Sequence, residues 1–173
     1  MTTAPPRLRR AYFECRHGQL HVHNAIPVGG GFDELTTLIC IHGSGGSGRQ
    51  FLELSKHLGA SRSIYSPDLP GCGESDAAET KLTVPAYADA IGDFLESMRF
   101  RQVDLLGAGT GAAVVAELAI ARPKLVRKVC LLAGEWQVDR RPLIQQPLLS
   151  LDQEMNLESG AGAIAGKLTT FLA

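Results

Sequence analysis

The stretch 103–119, VDLLGAGTGAAVVAELA, constrains the fold more than any other part of this chain. An apolar run meets a cluster of glycines and then continues as an alanine-rich apolar run. That pattern reads as a buried strand turning sharply into a buried helix. Two kinds of site use such a turn. In G-x-S-x-G the central residue is a nucleophilic serine held on a strained turn. In G-x-G-x-x-G/A the glycines let the backbone approach a pyrophosphate at a helix N-terminus. Residues 107–111 read GAGTG, so the first pattern is missed by one residue, at Gly109. Gly107, Gly109 and Ala112 formally satisfy the second, with Glu135 about where a ribose-binding acid belongs.

The rest of the chain alternates strand and helix. AYFECR (11–16) and QLHVHNAI (19–26) read as an antiparallel hairpin joined at His17-Gly18. TTLICIHG (36–43) is a continuous apolar run, the mark of a strand buried on both faces. A helix with Phe51, Leu52, Leu54 and Leu58 on its apolar side follows, then the strand RSIYSPD and the loop LPGCGESDAAETK. Thr83 is placed to cap the next helix, with Pro85 in its first turn. Strand QVDLLG, the glycine turn, a helix stopped by Pro123 and strand VRKVCLLAG complete residues 10–135. The tail, 136–173, holds one expected strand, PLLSL (147–151), and one expected helix over roughly 161–172. The expectation is a single α/β domain over 1–173, with a doubly wound, mostly parallel sheet of about seven strands and an N-terminal antiparallel hairpin.

Three stretches, in this order, resemble the α/β-hydrolase family. They are ICIHGSGGSGRQF, an apolar strand ending in His42-Gly43; DLPGCGESD (68–76), similar to a D-x-x-G-x-G-x-S loop; and the glycine turn itself. The resemblance implies that residue 109 occupies the nucleophile position. It also implies an oxyanion loop at His42, Gly43 and Ser44, with the backbone N–H groups of Ser44 and Thr110 as donors. The phosphate-turn reading leaves the first two stretches unexplained. That fingerprint usually opens a nucleotide-binding domain, whereas four strands and two helices precede it here. Replacing an elbow serine with glycine also creates the fingerprint automatically. Gly43–Gly48 is a further near miss to a phosphate loop, because Arg49 and Gln50 stand where Lys and Ser or Thr are needed.

A hydrolase of this kind uses a nucleophile, an acid and a histidine, in that chain order. Gly109 has no side chain to attack with. Aligning Pro147 with the proline of the family's seventh strand puts Asn156 at the acid position. Glu135 and Asp152 read as solvated loop carboxylates, with a vestigial acid role as the alternative. The five histidines are His17, His21, His23, His42 and His57, so none follows the turn. The resemblance therefore implies a truncated α/β-hydrolase fold without lid, final strand or catalytic histidine.

The remaining candidates have plainer readings. His42 is expected to hydrogen-bond its own loop. His21 and His23 lie two apart on a strand and share a face, but the sequence offers no third metal ligand, so they are read as exposed or half-buried and no metal is expected. Cys72 lacks an adjacent base and reads as an unreactive thiol. Arg7, Arg9 and Arg10 read as a solvated edge.

A net charge of −1 gives no electrostatic reason to bind nucleic acid or an anionic membrane. No apolar run approaches the roughly 20 residues that span a bilayer. Four scattered cysteines without a C-x-x-C pair, and no secretory signal, make the cytoplasm the default location. The chain is thus expected to be a catalytically inactive hydrolase-like protein, without cofactor, that binds a small carbonyl ligand or a protein partner. The alternatives are a hydrolase acting through unconventional groups or completed by another chain, and a dinucleotide-binding domain. Leu148, Leu149, Leu151, Met155 and Leu157 need cover within ten residues, so a homodimer through about 143–173 is also expected.

Overall fold

The computed structural model describes residues 4–30, 35–132 and the strand at 148–151. Seven strands form one sheet: β1 Arg7–Cys15, β2 Gly18–Ile26, β3 Leu38–Ile41, β4 Ile64–Pro67, β5 Val103–Ala108, β6 Val126–Leu132 and β7 Leu148–Leu151. Their order across the sheet is β1-β2-β4-β3-β5-β6-β7. β2 runs antiparallel to both β1 and β4, and every other neighbouring pair is parallel. The sheet expected from the alternation of elements is therefore present, hairpin included. Arg7, Arg9 and Arg10 form a solvated edge as expected: they are exposed on β1, the outermost strand on that side of the described sheet, paired with Ile26, Asn24 and His23.

Three helices make the crossovers: α1 Leu52–Leu58, preceded by a 3-10 turn at Gly48–Phe51; α2 Val84–Ser97; and α3 Thr110–Ala121. Thr83 caps α2 as its sequence position suggests, its Oγ1 accepting the Ala86 N–H. Alternation along the central strands splits the core in two. Ile39, Ile41 and Leu105 face Ile91, Phe94 and Leu95 of α2 and Val114, Val115 and Leu118 of α3. Leu38, Cys40, Leu106 and Cys130 face the opposite side, with Phe51, Leu54 and Leu58 of α1 and its preceding turn. Cys40 and Cys130 are buried as small hydrophobes.

This winding locates the site. The connection leaving β3 passes through α1 on one face, while the connection leaving β5 passes through α3 on the other. β3 and β5 are parallel neighbours, with Ile41 opposite Gly107. The crevice outside their carboxyl ends is a topological switch point, where open α/β sheets bind ligands. His42, Gly43 and Ser44 follow β3 there, and Gly109 and Thr110 follow β5.

Candidate active site

The turn after β5 owes its shape to its glycines, each for a different reason. Gly109 has φ 54° and ψ −126°, a backbone that side-chain-bearing residues adopt only under strain. A Cβ at Gly109 would nevertheless meet only the Gly43 Cα, at 3.6 Å, an ordinary contact. Its neighbours have no such room. A Cβ at Gly107 would press on the Ala112 Cα at 2.5 Å, and one at Gly111 would collide with the Ile41 carbonyl. The outer glycines are thus required by close packing of strand against helix, and the central position alone has space above it. That is the geometry of a turn built to present a side chain. A pyrophosphate turn would spend its glycines on the approach of a ligand, whereas here they admit the protein's own backbone.

The loop after β3 lies against this turn. The Ser44 N–H donates to Thr110 Oγ1 at 2.6 Å, and the two hydroxyl oxygens are 2.9 Å apart. Ser44 and Thr110, whose amides the resemblance names as donors, lie side by side, and the Thr110 hydroxyl holds the Ser44 amide. His42 is fully buried and uses both ring nitrogens. Nδ1 lies 2.8 Å from the Gly43 carbonyl and donates to it, and Nε2 accepts the Leu69 N–H at 2.9 Å. The ring is a strut between two loops, as its expected structural role requires. Burial holds its pKa below the ordinary histidine value, although the Gly43 carbonyl works in the opposite direction.

The DLPGCGES loop is organised around Asp68, whose importance the sequence reading did not single out. Asp68 Oδ1 accepts the Gly48 N–H at 2.6 Å. Oδ2 accepts the Glu74 N–H and contacts His21 Nδ1, both at 2.9 Å. The Ser75 hydroxyl donates to the Asp68 carbonyl and accepts the His21 N–H. Burial pushes the Asp68 carboxyl up, but the donors from Glu74, Gly48 and His21 outweigh it and hold the group below the usual carboxylate range. Gly73 has φ 55°, and a Cβ there would collide with Asp68 Oδ2. Asp68, Gly73 and Ser75 of D-x-x-G-x-G-x-S thus each have a contact that explains them, and Gly71 holds a positive φ of 76°. Cys72 is half-buried, and burial together with Asp68 pushes its thiol up, away from a reactive thiolate.

His21 and His23 do share a face of β2, but His21 is 1% exposed rather than open to solvent. Pairing of β2 between β1 and β4 seals it, with the Tyr12 ring 5.2 Å away. Asn156, Glu135 and Asp152 lie outside the described residues.

A doubly wound sheet with this strained turn at its switch point and a histidine-glycine loop beside it defines the α/β-hydrolase class of protein. The chain matches the α/β-hydrolase fold family over residues 36–160 and belongs to that family. It is 28% identical over 131 residues to an uncharacterized protein of Mycobacterium tuberculosis, covering 76% of this chain and 36% of that protein. It is 32% identical over 102 residues to a pimeloyl-[acyl-carrier protein] methyl ester esterase of Neisseria meningitidis, covering 59% and 38%. Among solved structures it resembles the epoxide hydrolase CorEH, with a TM-score of 0.68 at 18% identity over 79% of this chain and 47% of that one. It also resembles a serine-to-glycine variant of the N-acyl homoserine lactonase AidH complexed with N-hexanoyl homoserine lactone, with a TM-score of 0.63 at 24% identity over 72% and 45%. The chain thus spans 36–38% of these curated relatives and under half of these solved structures. Among the described residues no helix is long and apolar enough to cross a membrane.

Proposed function

We propose that this chain keeps the carbonyl-recognising loops of an α/β-hydrolase and does not itself hydrolyse. The observation that carries the reading is Gly109. The backbone holds the shape that presents a nucleophile, there is room for a side chain, and there is none. Thr110 does not replace the missing serine, because its hydroxyl is engaged with Ser44.

The ligand class is a small carbonyl compound, an ester or lactone. Its oxygen would take the Ser44 and Thr110 amides in place of the Thr110 hydroxyl. The names of similar proteins, an esterase and a lactonase, support that class. The AidH variant with glycine for serine in complex with a lactone supports binding without a serine hydroxyl. The test combines turnover of short p-nitrophenyl esters with NMR titration by N-hexanoyl homoserine lactone. Shifts at the Ser44 and Thr110 amides without turnover are expected. Residual catalysis from amide donors alone stays far below working rates. Turnover near an ordinary kcat of about 1–10³ s⁻¹ would overturn the inactive reading, and an unmoved Ser44 amide would overturn the ligand.

Two further parts of the reading have their own tests. A second reading is a site completed by another chain, and an esterase assay of the chain purified with its cellular partners tests it. β7 is the outermost strand of the described sheet, and an open edge invites pairing. The expected homodimer through about 143–173 follows from it, and light scattering at micromolar protein that returned one chain's mass would refute it.

A further inference from the structure

A second cluster of chemistry-bearing residues lies away from Gly109, on the hairpin side of the sheet. It fills one wall of a groove of about 940 Å³ lined by His21, His23, Asn24, Arg49, Ser55 and Glu74 among others. None of the residues of the switch-point crevice lines that groove.

His21 holds the key atom. Asp68 Oδ2 already accepts the Glu74 N–H, so it serves as an acceptor toward His21 as well, and His21 Nδ1 carries the hydrogen. That tautomer leaves an unshared electron pair on Nε2. The side chain is 1% exposed, and Nε2 has no hydrogen-bond partner among the described residues. It faces Glu74 Oε2 at 3.9 Å, beyond hydrogen-bond distance. His23 stands edge-on beside them, its ring centroid 4.6 Å from that of His21. One ligand atom each from His21, His23 and Asp68 lies within 4.8 Å of the others.

We propose that His21 Nε2, His23 and Glu74 form a binding site for a zinc-like transition-metal dication, with Asp68 holding His21 in the ligating tautomer. Imidazole nitrogen with one carboxylate suits zinc, copper or nickel rather than magnesium or calcium. Tetrahedral metal bonds of about 2.0–2.2 Å put donors about 3.3–3.6 Å apart, so the 3.9 Å gap closes with a movement of a few tenths of an ångström by the exposed Glu74 side chain. A histidine that gives its second N–H to a carboxylate is the usual arrangement of a metal-binding imidazole.

The opposing groups are Arg10 and Arg49, at 3.5 and 3.6 Å from Glu74 Oε1, and the Tyr12 hydroxyl, which donates to Oε2 at 3.3 Å. The two arginines are 59% and 66% exposed, so both can turn into water when a cation arrives. Their repulsion sets the expected affinity in the micromolar range rather than tighter.

The test uses the full chain and the metal alone. Calorimetry with Zn(II) is expected to show one site per chain. Co(II) is expected to give a d–d absorption spectrum of nitrogen and oxygen ligands without a sulfur-to-cobalt charge-transfer band. His21→Ala, His23→Ala and Glu74→Gln are each expected to weaken binding roughly ten- to a hundredfold. His21 is buried, so His23→Ala and Glu74→Gln decide the matter if His21→Ala does not fold. No binding at millimolar metal, unchanged affinity in those two variants, or a charge-transfer band marking cysteine ligands would overturn the proposal.

Discussion

The Ser44 amide donates to Thr110 Oγ1 at 2.6 Å, across 66 residues of sequence, and so joins the loop after β3 to the start of α3. On the proposed function, the hydroxyl occupies the place of a ligand's carbonyl oxygen. Thr110→Ala frees the Ser44 N–H. A net hydrogen bond of about 0.5–1.5 kcal/mol no longer has to be exchanged, so lactone or ester binding is expected to tighten by up to roughly tenfold. NMR titration measures it, and weaker binding by Thr110→Ala would show that the hydroxyl contacts the ligand instead.

Glycine substitutions around the turn are expected to separate cleanly. Gly109→Ser finds space, so its cost is limited to the positive-φ backbone, about 1–3 kcal/mol. Gly111→Ser drives a side chain into the Ile41 carbonyl and is expected to cost more, or to prevent folding. Gly109→Ser is also expected to remain inactive, because an unactivated serine is a weak nucleophile. Thermal melts and an esterase assay check both; an active Gly109→Ser would reveal a base within reach of the turn.

Asp104 lies fully buried at the start of β5, bound by Arg127 through Nε at 2.8 Å and NH2 at 2.7 Å, and by the buried Arg62 at 3.2 Å. Asp104→Asn removes the buried carboxylate that both guanidinium groups share, and the expected loss is roughly 3–5 kcal/mol. Arg16 clamps the hairpin to α2 through Asp89 and Asp93, but 45% of its side chain is exposed. Arg16→Ala is therefore expected to cost no more than about 1 kcal/mol. Denaturant titrations compare the two, and equal losses would contradict the assignment of Asp104 as a buried electrostatic centre.

Acid is expected to loosen the crevice through His42. Its folded-state pKa lies below the ordinary value of 6.5, so the unfolded chain binds the proton more readily. The stabilisation is complete above about pH 6.5 and is lost as the pH falls toward the lower folded value. The contribution of this one group is no steeper than about 1.4 kcal/mol per pH unit. Protonation of Nε2 would also break its bond from the Leu69 N–H. Denaturation at pH 7.5 and 5.5 is expected to show a smaller pH difference in His42→Gln than in the parent chain. An unchanged difference would show that other groups carry it.

Element order and type were legible in the sequence because their causes are local. The continuous apolar run at β3 reads directly as a strand buried on both faces. Thr83 and Pro85 mark the start of α2, and Pro123 the end of α3. The glycine turn announced both its strand and its helix, and the two stretches before it counted against the phosphate reading. The order of strands across the sheet then brought His42, Gly43 and Ser44 beside Gly109 and Thr110, as the resemblance implied.

Which glycines of that turn are obligatory was decided only in three dimensions. The atoms that exclude a Cβ at Gly111 belong to β3, some 70 residues away in the chain. The hold of Thr110 on Ser44 depends on where α3 begins relative to the β3 loop. The same is true of His21, which the sequence shows only as one of two alternating histidines. It acquires Asp68 because β2 pairs antiparallel with β4, placing Val22 opposite Pro67, the residue before Asp68. It faces Glu74 because the loop after β4 folds back over the hairpin. Local periodicity specifies the face on which a side chain lies. Its partners across 47 or 53 residues are set by register and loop closure, which only the packed chain determines.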